Sequence, residues 1–91
     1  MFSEIHAKIT GKVQRVGYRD FLLSFAKEHG ISGWVRNNED GTVELLAQGE
    51  PDVLKDMVSA LNTGPSLARV ESVSVDWKTP QKHFDDFELW K

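Results

Sequence analysis

The sequence SGWVRNNEDGTVELLAQG, residues 32–49, predicts a β-hairpin. Its first strand begins near Trp34, and Asp40-Gly41 supplies a tight turn, because glycine accepts the positive φ angle that such turns need. The acidic pair formed by Glu39 and Asp40 is therefore interpreted as part of the turn. The second strand carries apolar residues at alternate positions: Val43, Leu45 and Ala47.

One strand and one helix are predicted before the hairpin. Apolar residues alternate with polar ones at the start of the chain, which is typical of a strand with one covered face, and Gly11 closes this strand. From Asp20 onward, apolar residues recur at helical spacing, and Gly30 is placed to end the helix. The residues that carry these two patterns are Ile5, Ala7 and Ile9, then Phe21, Leu22, Phe25 and Ala26.

A second helix and two further strands are predicted after the hairpin. Pro51 suits the first helical position, and Gly64-Pro65 stops the helix. Val70 is out of phase with Val73, which leaves the start of the fourth strand open. The apolar face of the helix comprises Val53, Leu54, Met57, Val58 and Leu61; the strands comprise Val73, Val75 and Trp77, then Phe84, Phe87, Leu89 and Trp90.

The element order is therefore β-α-β-β-α-β with a short C-terminal strand. This order predicts an α+β, ferredoxin-like (split β-α-β) two-layer sandwich, in which two helices cover one face of an antiparallel sheet. A chain of 91 residues favours a single domain over residues 1–91.

Composition narrows the classes of function. The net charge of −3 provides no general attraction for nucleic acid or an acidic membrane. The chain has no cysteine, which excludes disulfides and thiolate chemistry and fits a reducing compartment. No apolar run is long enough to span a bilayer, and the first ten residues do not resemble a signal peptide. We expect a cytoplasmic monomer with neither nucleic acid nor membrane as partner.

The topology brings two distant segments to one end of the sheet. Residues 12–19 follow the first strand, and Asn37 ends the second, with the third strand lying between them at about 4.8 Å per strand. If Val35 faces the helices, Asn37 also points inward, near the start of the first helix. A buried amide needs hydrogen-bond partners, so Asn37 either contributes to a site or caps the hairpin.

The loop of residues 14–19 is a candidate anion site. Backbone N–H groups that lead into a helix N-terminus attract anions, and Gly17 allows the chain to curl around one. Arg19 is unfavourable beside the positive end of the helix dipole unless an anion binds there, where its planar fork matches a phosphate. A surface arginine whose stem lies on the protein remains the alternative.

Other chemistries lack the necessary pattern. The GxxxxGK spacing of a phosphate-binding P-loop is absent, and no acidic pair is placed to hold magnesium. The three histidines, His6, His29 and His83, lack metal-ligand spacing, so no metal site is predicted. No serine has a nearby histidine and aspartate that would make it a nucleophile.

Three stretches resemble the acylphosphatase family in order and spacing: GKVQRVGYR (residues 11–19), GISGWVRNNEDGTVE (30–44) and GPSLARVESV (64–73). The resemblance implies metal-independent hydrolysis of the carboxyl–phosphate bond of small acyl phosphates, with no cofactor and no covalent intermediate. Arg19 matches the family's catalytic arginine, and Asn37 matches the asparagine that orients the attacking water. The resemblance also implies a phosphate-binding loop of backbone N–H groups: Gln14, Arg15, Val16, Gly17, Tyr18 and Arg19.

Two residues depart from the family pattern. Arg15 stands where glycine is usual, so a left-handed backbone there would cost about 1–2 kcal/mol. We interpret its side chain as pointing to solvent, where its charge helps to collect anions. Tyr18 stands where phenylalanine is common, and its hydroxyl needs water or a partner.

Two alternatives remain open from the sequence. A non-catalytic module that binds phosphate or a metabolite would retain the fold without turnover. An RNA-binding sheet of the same architecture would need exposed aromatic residues and a basic face.

Overall fold

The computed structural model describes residues 2–90. Its elements, in chain order, are β1 (Ser3–Lys12), α1 (Tyr18–His29), β2 (Ser32–Asn37), β3 (Val43–Gly49), α2 (Pro51–Thr63), β4 (Arg69–Lys78) and β5 (Phe87–Trp90). The five strands form one sheet in the order β4-β1-β3-β2-β5.

The sheet confirms the α+β, ferredoxin-like prediction. Strands β1 to β4 pair antiparallel, as expected, whereas β5 lies parallel to β2 and makes the complete sheet mixed. Strand β3 lies between β1 and β2, which is the arrangement on which the candidate site depended. Neither α1 nor α2 has the length and hydropathy that a bilayer crossing requires.

The core lies between one face of the sheet and the two helices. The alternating apolar residues of β1 and β3 are almost fully buried there, as the period-2 pattern predicted. They pack against one face of each helix, because residues three or four positions apart lie on the same side of a helix. The core includes Ile5, Ala7, Ile9, Leu22, Ala26, Val35, Val43, Leu45, Ala47, Leu54, Met57 and Leu61.

Helix α1 begins at Tyr18, two residues before the predicted start at Asp20. Gly17 precedes it in a left-handed conformation, with φ of 79°. Tyr18 is buried on the same side of the helix as Leu22, so it is the first residue of the core face. The earlier start places Arg19 inside the first helical turn.

A β-bulge explains the change of phase in β4. Thr10 faces Ser72 across the β1–β4 pair, whereas Gly11 faces Val70, so one extra residue lies on β4 between them. Gly11 has φ of 123°, and a Cβ atom there would lie 2.1 Å from the carbonyl oxygen of Arg69. The extra residue accounts for the irregular spacing that left the start of this strand open.

The C-terminal segment covers the outer face of the sheet, which we define as the face opposite the helices. The side-chain amide of Gln48 donates to the carbonyl of Lys82 at 2.5 Å and accepts from the N–H of Phe84 at 3.2 Å. Further along, the rings of Trp34 and Trp90 stack with centroids 4.6 Å apart. The predicted final strand therefore exists, but it begins at Phe87, and Phe84 precedes it.

Candidate active site

A small cavity of about 190 Å³ lies where the loop after β1 meets the end of β2. Arg19 and Asn37 both line it, so the fold brings together the two side chains that the topology argument paired. Within the described chain, the remaining lining residues are Val13, Arg15, Gly17, Tyr18 and Asp20. Gln14 and Val16, which were also expected in the phosphate-binding loop, are not among them.

The N-terminus of α1 presents backbone donors at this cavity. The first helical hydrogen bond runs from the N–H of Phe21 to the carbonyl of Gly17, at 3.0 Å. The three preceding N–H groups of the helix therefore lack an intrahelical acceptor, and no side chain among residues 2–90 caps them. A left-handed backbone at both Arg15 and Gly17 curls the chain in front of these donors. Such a concavity attracts anions.

The cavity carries more positive than negative charge. Arg15 and Arg19 contribute two guanidinium groups to its lining, against the single carboxylate of Asp20. Neither arginine side chain has an ion pair or a hydrogen bond with another residue in the range 2–90. Arg19 is partly buried in the first turn of α1, where the helix dipole opposes its charge. An anion bound here would be attracted both by the guanidinium of Arg19 and by the positive end of the helix dipole.

The strand register directs Asn37 inward. Asn37 pairs with Val43 and shares a face with Val35, and both valines are fully buried under the helices. The side-chain oxygen of Asn37 is buried and accepts no hydrogen bond from residues 2–90. The hairpin is capped instead by Asn38, whose Nδ2 donates to Oγ1 of Thr42 at 3.0 Å. Capping therefore does not explain Asn37.

A carboxylate on the outer face holds the residues on either side of Asn37. Glu44 accepts hydrogen bonds from Arg36 at 3.1 Å and from Asn38 at 3.2 Å, and it contacts Nε2 of His6 at 2.6 Å. Burial alone would raise the pKa of Glu44, but the hydrogen bonds from His6, Arg36 and Asn38 outweigh burial and hold that pKa below its usual 4.5. Sequence reasoning missed this network, although the cross-strand pairing of Arg36 with Glu44 follows from the hairpin register.

Tyr18 connects the cavity to the end of α2. Its hydroxyl donates to the carbonyl of Leu61 at 2.6 Å. In a continuous helix that carbonyl would accept from the residue four positions later, but Pro65 has no N–H. The hydroxyl of Tyr18, for which the sequence required a partner, therefore satisfies an acceptor that the backbone leaves open.

Arg15, which stands where the family usually has glycine, adopts a left-handed backbone conformation. Its φ is 62°, and it is the one non-glycine residue with positive φ among residues 2–90. The side chain is exposed, in agreement with the interpretation that it points to solvent. The loop therefore has a strained backbone at Arg15 and also carries the exposed positive charge of its side chain.

The histidines lie in separate surroundings. His6 contacts Glu44, and His29 stacks on Phe25 with ring centroids 4.0 Å apart. His83 lies 6.4 Å from Phe2, measured between ring centroids. In the part of the chain that the structure describes, no three histidine, cysteine, aspartate or glutamate side chains are grouped as metal ligands.

Comparisons with known proteins agree over most of the chain. The acylphosphatase family profile matches residues 5–89. The chain is 44% identical over 85 residues to the acylphosphatase of Salinibacter ruber, covering 93% of this chain and 90% of the relative. It is 49% identical over 75 residues to that of Roseiflexus sp., covering 82% and 81%.

Solved structures give the same result. The fold superposes on the crystal structure of acylphosphatase from Bacillus subtilis with a TM-score of 0.94 and 30% identity, covering 98% of this chain and 99% of that one. For an acylphosphatase from Coxiella burnetii the TM-score is 0.91 with 34% identity, covering 98% and 93%. The sequence motifs, the fold and these matches lead to one conclusion: the chain belongs to the acylphosphatase family.

Proposed function

We propose that this protein hydrolyses acyl phosphates to a carboxylate and inorganic phosphate, as a single domain over residues 1–91, and that Arg19 and Asn37 carry the reaction. The observation that carries the proposal is the convergence of these two side chains on one cavity at the N-terminus of α1. Membership of the acylphosphatase family supports the choice of substrate class.

The loop and Arg19 bind the phosphoryl group in this proposal. The unpaired N–H groups at the start of α1 donate to phosphoryl oxygens, and the guanidinium of Arg19 adds charge-assisted hydrogen bonds. Phosphoryl transfer depends mainly on positioning and on stabilising charge at the equatorial oxygens. The site thus needs few groups, because an acyl phosphate already has a good leaving group.

Asn37 positions the attacking water in this proposal. Its buried oxygen, which has no protein partner within residues 2–90, can accept a hydrogen bond from that water. The water attacks phosphorus, the bond from phosphorus to the acyl oxygen breaks, and the carboxylate leaves with the electron pair. An amide is not a strong base, so the proton of the water passes to the carboxylate or to the phosphate.

The proposed partner is a small acyl phosphate in the cytoplasm, bound by a monomer that uses neither metal nor nucleic acid. A cavity of about 190 Å³ suits a phosphate group rather than a polymer. At the centre of the outer face the guanidinium of Arg36 is paired with Glu44, which reduces the positive charge that would attract an RNA strand there. The absence of cysteine suits a reducing compartment.

Turnover of benzoyl phosphate in the presence of EDTA tests the proposal. We expect the wild-type protein to release phosphate and the Arg19→Ala variant to lose activity by at least about 100-fold, as removal of one preorganised donor does elsewhere. Arg69→Ala, which removes an exposed arginine of β4 outside the cavity, is the matched control and should retain activity. Saturable phosphate binding without turnover in the wild type would instead identify a binding module.

A further inference from the structure

The side chain of Gln14 links the two halves of the candidate site. Its Nε2 donates to the carbonyl of Asn38 at 2.8 Å and to the carbonyl of Thr42 at 2.9 Å. These carbonyls belong to the two ends of the hairpin turn, which the N–H of Asn38 already joins by donating to Thr42 at 2.8 Å. Both hydrogens of the Gln14 amide are therefore used on one short segment of backbone.

The hydrogen bonds from Gln14 join two segments that are not neighbours in the sheet. Gln14 lies in the loop that leads to Arg19, and Asn38 directly follows Asn37. Because β3 separates β1 from β2, no strand pairing joins the loop to the end of β2. Among residues 2–90, the two hydrogen bonds from Gln14 are the ones that connect the loop to the hairpin turn.

Asn37 depends on its neighbours for its position. The oxygen of its side chain is not held by any donor in residues 2–90. On the outer face, Glu44 holds Arg36 and Asn38, which fixes the strand relative to the sheet. The hydrogen bonds to Glu44 do not fix the end of β2 relative to the phosphate-binding loop. The hydrogen bonds from Gln14 do.

We infer that Gln14 is a positioning residue whose side-chain amide sets the distance between the phosphate-binding loop and the Asn37 amide. The inference rests on the proposed function. A displacement of about 1 Å between reacting groups can reduce a rate on the order of 100-fold. Gln14 thereby affects turnover through Asn37 without touching the substrate with its side chain.

Replacing the Gln14 amide with a carboxylate tests whether its two donated hydrogen bonds matter. Gln14→Glu preserves size and shape, but an ionised carboxylate has no donor and would face two carbonyl oxygens. A protonated carboxyl group can donate one hydrogen bond, and the ordinary pKa of glutamate is about 4.3. The variant should therefore recover part of its rate, relative to wild type, as the pH falls towards 4.

The test compares wild type, Gln14→Glu and Gln14→Met by kcat for benzoyl phosphate and by the inhibition constant of inorganic phosphate. Rates are normalised to the folded fraction measured by circular dichroism. We expect kcat to fall 10-fold to 100-fold at pH 7, with the phosphate constant changed less than threefold. Gln81→Glu makes the same substitution at an exposed position outside the cavity and should match wild type.

A double-mutant comparison identifies the residue through which Gln14 acts. In an Asn37→Ala background, Gln14→Met should reduce kcat by less than twofold, because the group that it positions is gone. Full additivity would overturn the inference, as would unchanged kcat per folded molecule or a parallel loss of phosphate affinity. A wild-type protein without turnover would overturn the proposed function and this inference together, whereas wild-type turnover with unaffected Gln14 variants overturns only the inference.

Discussion

The hydroxyl of Tyr18 donates a 2.6 Å hydrogen bond to the carbonyl of Leu61, and this contact joins the first residue of α1 to the last turn of α2. Both residues are almost fully buried. Because Pro65 has no N–H, the carbonyl of Leu61 lacks its usual helical donor. The contact therefore stabilises the helix layer beside the candidate site.

Tyr18→Phe is expected to lower the free energy of unfolding by about 1–3 kcal/mol, because it leaves a buried acceptor without a donor. Urea unfolding at pH 7 measures the change, and kcat should stay within about twofold of wild type. An unchanged free energy of unfolding would contradict the role given to this hydrogen bond.

The same residue predicts a loss of stability in alkali. Burial raises the pKa of Tyr18 above its ordinary value of 10. A raised acid pKa gives stability that is fully present below pH 10 and is lost as the pH rises above it. Tyr18 is the one tyrosine in the sequence, so tyrosinate absorbance near 295 nm should appear together with unfolding. Tyr18→Phe should remove this contribution to the pH dependence.

Asn37→Ala should separate stability from activity. The substitution removes a buried oxygen that has no donor within residues 2–90, so the free energy of unfolding should stay within about 1 kcal/mol of wild type or rise. We expect kcat to fall by about 100-fold, with a much smaller effect on inhibition by phosphate. Asn62→Ala, an exposed amide of α2, is the control. Equal losses of turnover and phosphate affinity would argue against a role in positioning water.

Arg15 allows backbone strain to be separated from charge. Its φ of 62° is easily adopted by glycine but not by alanine, so Arg15→Gly should be more stable than Arg15→Ala by about 1 kcal/mol. Both variants lose the exposed guanidinium and should show a similar increase in KM at low ionic strength. Thermal unfolding and KM at two salt concentrations measure the two effects. Equal stability of the two variants would show that the strain is relieved in another way.

Glu44 predicts a loss of stability in acid. Its pKa in the folded protein lies below the ordinary 4.5, so its contribution is fully present above pH 4.5 and disappears as the pH falls through the lower folded value. Glu44→Gln should therefore be less stable than wild type at pH 7 and should lose less stability below pH 4.5. Urea unfolding between pH 3 and pH 7 measures how the free energy of unfolding of each protein changes with pH. The free energy of unfolding of Glu44→Gln should still decrease somewhat in acid, because hydrogen bonds from Thr42 also lower the pKa of Asp40.

Local patterns were sufficient to predict most of the fold. Alternation in β1 and β3 and the helical spacing in α1 and α2 each identified one buried face, because burial on one side imposes the period of the element. The same parity argument directed Asn37 inward, and the register confirmed it. The start of α1 was predicted two residues late, since the polar residues Arg19 and Asp20 separate Tyr18 from Phe21, and Tyr18 was not recognised as part of the core face.

Contacts between distant segments could not be predicted in this way. The partner of Tyr18 depends on where α2 ends, and the partners of Gln14 depend on how the hairpin turn meets the loop. The phase change between Val70 and Val73 was visible in the sequence, but locating the bulge opposite Gly11 required the pairing of β1 with β4. These features arise from tertiary packing, about which a local pattern carries little information.

The pairing of β5 with β2 has a consequence for synthesis of the protein on the ribosome. The strand that ends in Asn37 obtains its second neighbour from residues 87–90. A nascent chain that has not yet released this segment presents the backbone of β2 as an open edge, to which other unfinished chains can attach. Completion of the sheet beside Asn37 is thus postponed until residues 87–90 have left the exit tunnel.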